Sequence, residues 1–232
     1  QQLCAHGLVA TDGAGWQVTA PFPALADTLR EAGLLGAWRF ELLPVLTEAG
    51  QRVGLIERAA VRALGLATAA VHLTAQAPDG RTWVQQRAFN KPNDPGLWDT
   101  LMGGMVSAAD TLALALERET WEEAGLRLDQ LHGLTHAGHL IIRRPSGGAD
   151  DVGYTVERID WFSATLPKNA LPHNRDGEVE RFDCVETRQL RADISAPQSA
   201  PRRARSELLP LPRHSCTNTA TPRAARASAN GR

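Results

Sequence analysis

Cysteine, lysine and aromatic residues are scarce in this chain, and long apolar runs are absent. Among 232 residues there are three cysteines, Cys4, Cys184 and Cys216, too few and too scattered for a disulfide framework or a four-ligand zinc site. His72, His136, His139 and His173 form neither an HxxxH nor an HExxH spacing, which also argues against zinc. No stretch approaches the roughly 18 apolar residues of a membrane span, and the N-terminus lacks the basic-then-apolar layout of a secretory signal. These absences point away from membrane and secreted proteins and toward a reducing compartment, the cytoplasm. Gln1 rather than Met opens the chain, so a cut or processed start is expected.

Net charge is also small, -1, which speaks against a nucleic-acid coat, and no specific nucleic-acid partner is expected. That value is a cancellation. Residues 200–232 carry seven Arg against Glu207 alone, a net +6, and the preceding 199 residues carry -7. This end is rich in Arg, Pro and Ala and poor in apolar periodicity. It cannot offset an ordering entropy of roughly 1 to 2 kcal/mol per residue, so a disordered tail is expected over 193–232. Its composition is that of GC-rich sequence read without selection for folding, as a frame change would give. An Arg-rich nucleic-acid arm is the weaker reading, because no aromatic residue is interleaved.

What is present divides the first 192 residues in two. Up to residue 66 the patterns are short and mostly helical: Pro23 to Gly33 places Leu25 and Leu29 at i and i+4 before a glycine stop, and Ile56 to Leu64 repeats the pattern before Gly65. Between them, Trp38 to Val45 suits a strand. A small α+β N-terminal domain over 1–66 is expected. From residue 67 the texture becomes strand-rich. Ala70 to Ala75 and Thr82 to Arg87 flank the turn signal Pro78-Asp79-Gly80, and His136 to Arg143 and Tyr154 to Leu166 give two further strands about a glycine-rich turn, Ser146 to Ala149.

Between the strands lies Gly103 to Leu126, GGMVSAADTLALALERETWEEAGL. Two glycines end a strand, Ser107 with Asp110 suggests a helix cap, and Gly125 a helix stop. Leu112, Ala115 and Leu116 give the helix an apolar stripe. Glu119, Glu122 and Glu123 fall at i, i+3 and i+4, so three carboxylates share one helix face. Like charges at that spacing destabilise a helix by about 0.2 to 0.5 kcal/mol per pair, and Arg118 or a hard divalent cation could compensate. The plainer reading of such a helix is a solvated acidic face.

The whole pattern resembles the Nudix box, GX5EX7REUXEEXGU, where U is a bulky aliphatic residue. Gly104, Arg118, Glu119, Glu122, Glu123, Gly125 and Leu126 stand at the required places, seven of nine. Asp110 stands where the box has Glu, and Thr120 where it has an apolar residue. Outside the box, Ile56 to Ala60, Ala69 to Leu73 and Asp176 to Glu180 resemble a subfamily with an extra N-terminal domain, related to the Nudix region fused to thiamine pyrophosphokinase in fungi.

That resemblance implies a Nudix α/β/α sandwich with a mixed sheet over 67–192, and hydrolysis of a nucleoside diphosphate, or similar diphosphate, linked to a group X. Glu119, Glu122 and Glu123 would hold Mg²⁺ or Mn²⁺, with Glu122 and Glu123 serving catalysis and Arg118 orienting them. Asp110, one methylene short, would reach Arg118 at longer range or through water. Glu157 and Glu178 are candidates for a further acid, and Arg87, Lys91, Gly103 and Gly104 for binding phosphate. The substrate class is a small-molecule diphosphate, thiamine diphosphate-like compounds among them. The competing expectation is a catalytically impaired Nudix-fold protein that binds a ligand or partner. From about Leu190 the subfamily's C-terminal helix is expected to be displaced by the tail.

Overall fold

The structure, a computed structural model, describes residues 2–11, 13, 15–91, 93–146 and 153–195. The expected tail from 196 onward and the glycine-rich turn at 147–149 lie outside the described residues. In chain order the elements are α1 (Gln2–Ala5), β1 (Val9–Thr11), β2 (Trp16–Val18), α2 (Phe22–Glu31), β3 (Leu42–Leu46), β4 (Arg52–Glu57), β5 (Ala67–Gln76), β6 (Thr82–Arg87), β7 (Trp98–Asp99), β8 (Met102–Met105), α3 (Leu112–Ala124), β9 (His132–Pro145), β10 (Tyr154–Thr165), β11 (Val179–Val185) and α4 (Thr187–Ser195).

Seven strands form one mixed sheet in the order β11-β6-β5-β10-β9, with β7 on β6 and β8 on β5. The β5–β10 pair is parallel and the other pairs are antiparallel. A parallel pair needs a crossover, and here the crossover carries α3. Strand alternation sorts β5 between two faces. Val71, Leu73 and Ala75 join Ala115, Leu116 and Ala124 of α3 in the main core. Ala70 faces the opposite way and packs with Ile159, Leu140 and Ile142. On that same opposite face Leu190 of α4 packs with Val84 and Trp98, so helices cover both faces of the sheet. The architecture is the expected α/β/α sandwich with a mixed sheet.

Residues 22–66 build a second core, in which Ala26, Leu43, Val45, Ile56, Ala60 and Val61 are buried together. Helix α2 lies on the β3–β4 hairpin, and Gly54 lets it: a Cβ there would overlap the Phe22 ring. Met105 of β8 packs against this core. The hairpin also grips the loop before α3, since Ala108 N–H donates to Leu42 O at 2.8 Å and Arg52 Nη1 to Ala108 O at 3.4 Å.

Three local expectations need correction. Ile56 to Leu64 is not a helix: Ile56 and Glu57 complete β4, and a single 3-10 turn, Arg58–Ala60, follows. The buried Glu57 carboxylate accepts from Arg39 N–H at 2.7 Å, which draws the preceding segment onto the strand end and ends the pattern early. A C-terminal helix does form, as α4, with Leu190 buried against the sheet; α4 runs past the expected 192/193 boundary. Finally, α3 is capped by Thr111, whose hydroxyl accepts from Leu114 N–H at 3.2 Å, while Ser107 instead accepts from Ala109 N–H at 3.3 Å in the approach loop. Leu112, expected in the apolar stripe, is exposed in the first turn, and the buried residues of α3 are Ala115, Leu116, Thr120, Glu123 and Ala124. Gly125, at φ 62°, ends the helix as expected.

Candidate active site

The expected carboxylates meet at the glycine strand. Gly104 has an ordinary backbone conformation, but a Cβ there would overlap the Glu119 carboxyl group, so its lack of a side chain makes the seat for Glu119. Gly103 gives its N–H to Glu123 Oε2 at 3.0 Å, and Gln85 Nε2 on β6 donates to the same oxygen at 2.9 Å. Glu123 is 2% exposed. Burial pushes its pKa up to about 8 against the opposing pull of the Gly103 and Gln85 hydrogen bonds, and burial likewise raises Glu119 to about 7 despite Arg118.

Arg118 ties the face together. Its Nη1 donates to Glu119 Oε1 at 2.9 Å and to Glu122 Oε2 at 3.0 Å, and its Nε and Nη2 both reach Asp110 Oδ2, at 3.1 and 2.8 Å. The Asp110 contact is direct, which corrects the expectation of a longer or water-bridged one. The loop makes up the missing methylene. Desolvation works against the guanidinium, and its acidic partners outweigh it, so Arg118 is held even more firmly protonated than usual.

A cavity of about 370 Å³ opens over these groups. It is lined by Arg118, Glu119, Glu122, Glu123, Gly103 and Gly104, and the remaining candidates Arg87, Lys91, Glu157 and Glu178 also reach it; Asp110 lies outside, behind Arg118. Arg87 is engaged in holding the loop after β6, donating to Asn93 O at 3.3 and 3.2 Å and lying 3.8 Å from Asp99. Lys91 pairs with Glu178. Burial would raise the Glu178 pKa, but Lys91 overrides it and holds the carboxyl below its ordinary value. Glu157 accepts from Thr68 at 3.1 Å on the sheet floor.

Among the described residues no three acidic, imidazole or thiol groups converge tightly enough to form a ready-made cation cage. Mg²⁺ does not need one, since it binds through one or two carboxylates, waters and substrate phosphates. The donor set fits such an ion: hard carboxylate oxygens on one face, two of them desolvated, with the Arg118 guanidinium shared among Glu119, Glu122 and Asp110. Gln85, the neutral amide that holds Glu123, lies outside every motif in the sequence, because a glutamine in a strand carries no spacing signal.

A helix bearing three glutamates against a glycine strand, on a mixed sheet between helices, is the arrangement of the Nudix fold class. The NUDIX domain model matches residues 65–205, and the chain belongs to the Nudix family. It is similar to two Arabidopsis thaliana proteins, Nudix hydrolase 20, chloroplastic (27% identical, 74% of this chain and 46% of that one) and Nudix hydrolase 24, chloroplastic (27%, 70% and 44%). The chain thus spans about half the length of the curated relatives it matches. Both matches are longer than the domain itself, so they extend beyond residues 65–205. Among solved structures, DR0079 from Deinococcus radiodurans shares the fold at TM-score 0.53 and 21% identity, over 67% of this chain and 89% of that one. No helix among the described residues is long and apolar enough to cross a membrane.

Proposed function

We propose that this chain is a Mg²⁺- or Mn²⁺-dependent hydrolase that cleaves the diphosphate linkage of a nucleoside diphosphate derivative or a thiamine diphosphate-like compound. The observation that carries it is the burial of Glu119 and Glu123 beside Glu122 and Arg118 at the floor of an open cavity. Two carboxylates with pKa values raised into the neutral range are costly ornaments but good cation ligands, since a cation reverses the penalty of their charge. When bound, the metal would neutralise the diphosphate and make a water nucleophilic.

The chain's own groups would divide the remaining work. Arg118 fixes the rotamers of Glu119 and Glu122, and Gln85 with the Gly103 N–H aims Glu123. Glu178, kept ionised by Lys91, is the better placed further acid, because it is close enough to Glu119 to raise its pKa. Glu157 serves the cavity floor. With Lys91 paired and Arg87 committed to the loop, their contact with phosphate requires exchange of those partners. The direct Arg118–Asp110 contact leaves the impaired-binder reading without structural support from that substitution.

The test is Mg²⁺-dependent release of monophosphate from a panel of nucleoside diphosphate derivatives together with thiamine diphosphate and its oxidised analogues. Turnover abolished by Glu123→Gln is expected. Saturable binding of panel members without turnover in any metal would replace the hydrolase reading by the binding one.

A further inference from the structure

His72 stands in the cavity with one ring nitrogen engaged and the other open. Residues alternate along β5, so Val71 and Leu73 enter the core beneath α3 while His72 faces the cavity beside Ala70. It pairs with Gly103 of β8, and its ring lies against that glycine: a Cβ on Gly103 would meet the imidazole Cε1, Nδ1 and Nε2 at 2.6, 2.9 and 3.0 Å. The missing side chain makes room for the ring, as that of Gly104 makes room for Glu119. The imidazole thus adjoins the glycine strand whose Gly103 N–H holds Glu123.

The hydrogen bonds around Nδ1 fix the tautomer. Nδ1 lies 3.1 Å from Thr100 Oγ1. The Thr100 hydroxyl has one proton and donates it to Met102 O at 2.8 Å, a carbonyl that can only accept. The contact between Nδ1 and Oγ1 must then take its proton from the imidazole. Asp99 agrees with this assignment, because its Oδ1 stands 3.6 Å from Nδ1, where an N–H is attracted and a lone pair repelled. In neutral His72 the proton therefore sits on Nδ1, and Nε2 carries a lone pair that has no hydrogen-bond partner among the described residues. Asp99 also readies the ring to gain a second proton, since the imidazolium would face a carboxylate that the Thr100 N–H holds at 2.7 Å. Other bases at the cavity are worse placed. Glu157 accepts from Thr68, and Lys91 holds Glu178 below its ordinary pKa, which makes it a weak base.

We propose that His72 is the general base of the hydrolysis, its Nε2 taking the proton of the attacking water, with Asp99 and Thr100 as positioning residues. The inference rests on the hydrolase reading above. As the water oxygen forms its bond to phosphorus, its O–H bond breaks and the proton moves to Nε2. The bond from phosphorus to the bridging oxygen breaks, and the leaving phosphate departs with that electron pair. The imidazolium then gives its proton to the leaving group or to solvent, which restores the ring.

Two measurements test the proposal. The first needs neither metal nor substrate: nitrogen NMR of the full chain labelled with ¹⁵N-histidine, with the His72 signals identified by their loss in His72→Gln. Neutral His72 is expected to show a proton-bearing Nδ1 and a bare Nε2, and the opposite tautomer overturns the base. The second uses members of the panel above that turn over with Mg²⁺. His72→Ala should lower kcat roughly 10²-fold or more, while KM, the calorimetric affinity for Mg²⁺ alone and the melting temperature move little. Added imidazoles should restore part of the rate to His72→Ala, the more so the more basic the imidazole, a dependence that a packing role would not produce. A kcat within threefold of the wild type, or a loss that no imidazole restores in proportion to its basicity, overturns the base and leaves the hydrolase reading standing. No turnover of any panel member by the wild type, in any metal, overturns the hydrolase reading and the base with it.

Discussion

Glu123→Gln should make the metal-free protein more stable while removing its activity. Burial raises the Glu123 pKa from an ordinary 4.5 to about 8. Between those values the unfolded chain holds fewer protons than the folded one, so stability falls as pH rises through the window and levels off above about pH 8. Below pH 4.5 both states are protonated and the group contributes no slope. At pH 7 the loss amounts to ~3 kcal/mol, as an order of magnitude. Glutamine has the same shape, can accept from Gly103 and Gln85 through its carbonyl, and carries no charge to desolvate. Urea unfolding in chelator, followed from pH 5 to pH 8.5, should therefore show a wild-type decline that the variant lacks in large part, with Glu119 contributing a smaller residual slope. Adding Mg²⁺ should stabilise the wild type, by ~2.7 kcal/mol at a hundred times its Kd, and leave the variant almost unmoved. A pH-independent difference between the two proteins, or a variant less stable than wild type at pH 8, would refute the account of Glu123 as a carboxylate held at a cost for a cation.

Gly104→Ala should lower kcat/KM by roughly 10²-fold while moving the melting temperature little, because the new methyl displaces only the Glu119 carboxyl and the backbone there tolerates alanine; steady-state kinetics and calorimetry check the pair of effects. Thr120→Val should stabilise the fold by about 1 kcal/mol, since the Thr120 hydroxyl is fully buried without a hydrogen-bond partner and valine fills the same volume, and denaturant titration reads the gain directly. Asp160→Asn should cost about 2 kcal/mol at neutral pH: Asp160 is 1% exposed, accepts from Arg158 at 2.8 and 3.0 Å and from His136 at 2.8 Å, and asparagine leaves those donors poorly matched. Burial opposes the charge of Asp160, and the Arg158 and His136 bonds outweigh it and lower its pKa, so the wild type's advantage should disappear only as pH falls below the ordinary carboxylate range.

Residues 67–166 were legible because their signals are local. Thr82–Arg87 and Leu112–Ala124 are set by alternation and by helical spacing with a glycine stop, and the structure keeps them. The carboxylate face followed from 3.6-residue periodicity alone. Strand β3 was expected, over Trp38 to Val45, and forms over Leu42–Leu46; its partner β4 escaped because Ile56 to Leu64 reads as helical by its own spacing, whereas the long-range bond from Arg39 to Glu57 and pairing with residues 42–46 fix Ile56 and Glu57 as a strand end. Gln85 could not be read either, since it meets Gly103 only through the Glu123 oxygen that both bind. The contribution of Arg62 to the cavity depends likewise on docking against residues 153 and 154, which no pattern near residue 62 encodes.

The two departures from the box pattern have different physical meanings. Thr120, next to Glu119 in sequence, is fully buried and touches none of the carboxylates through its hydroxyl, and its consequence is an unpaired hydroxyl: a defect of stability. Asp110 does act on the site, through Arg118, and a shorter side chain requires its backbone to stand closer. That closer approach has a visible support, because the β3–β4 hairpin draws in the loop before α3 through Ala108 N–H to Leu42 and Arg52 to Ala108. The N-terminal segment thereby acts on both ends of the cavity. At one it holds the loop that lets Asp110 grip Arg118, and at the other it supplies Arg39, Arg58 and Arg62 to the cavity lining. Cutting the chain near residue 66 should therefore lower activity through Asp110 and Arg118 as well as remove those lining residues, and equal kcat/KM for the cut and full chains would refute that coupling.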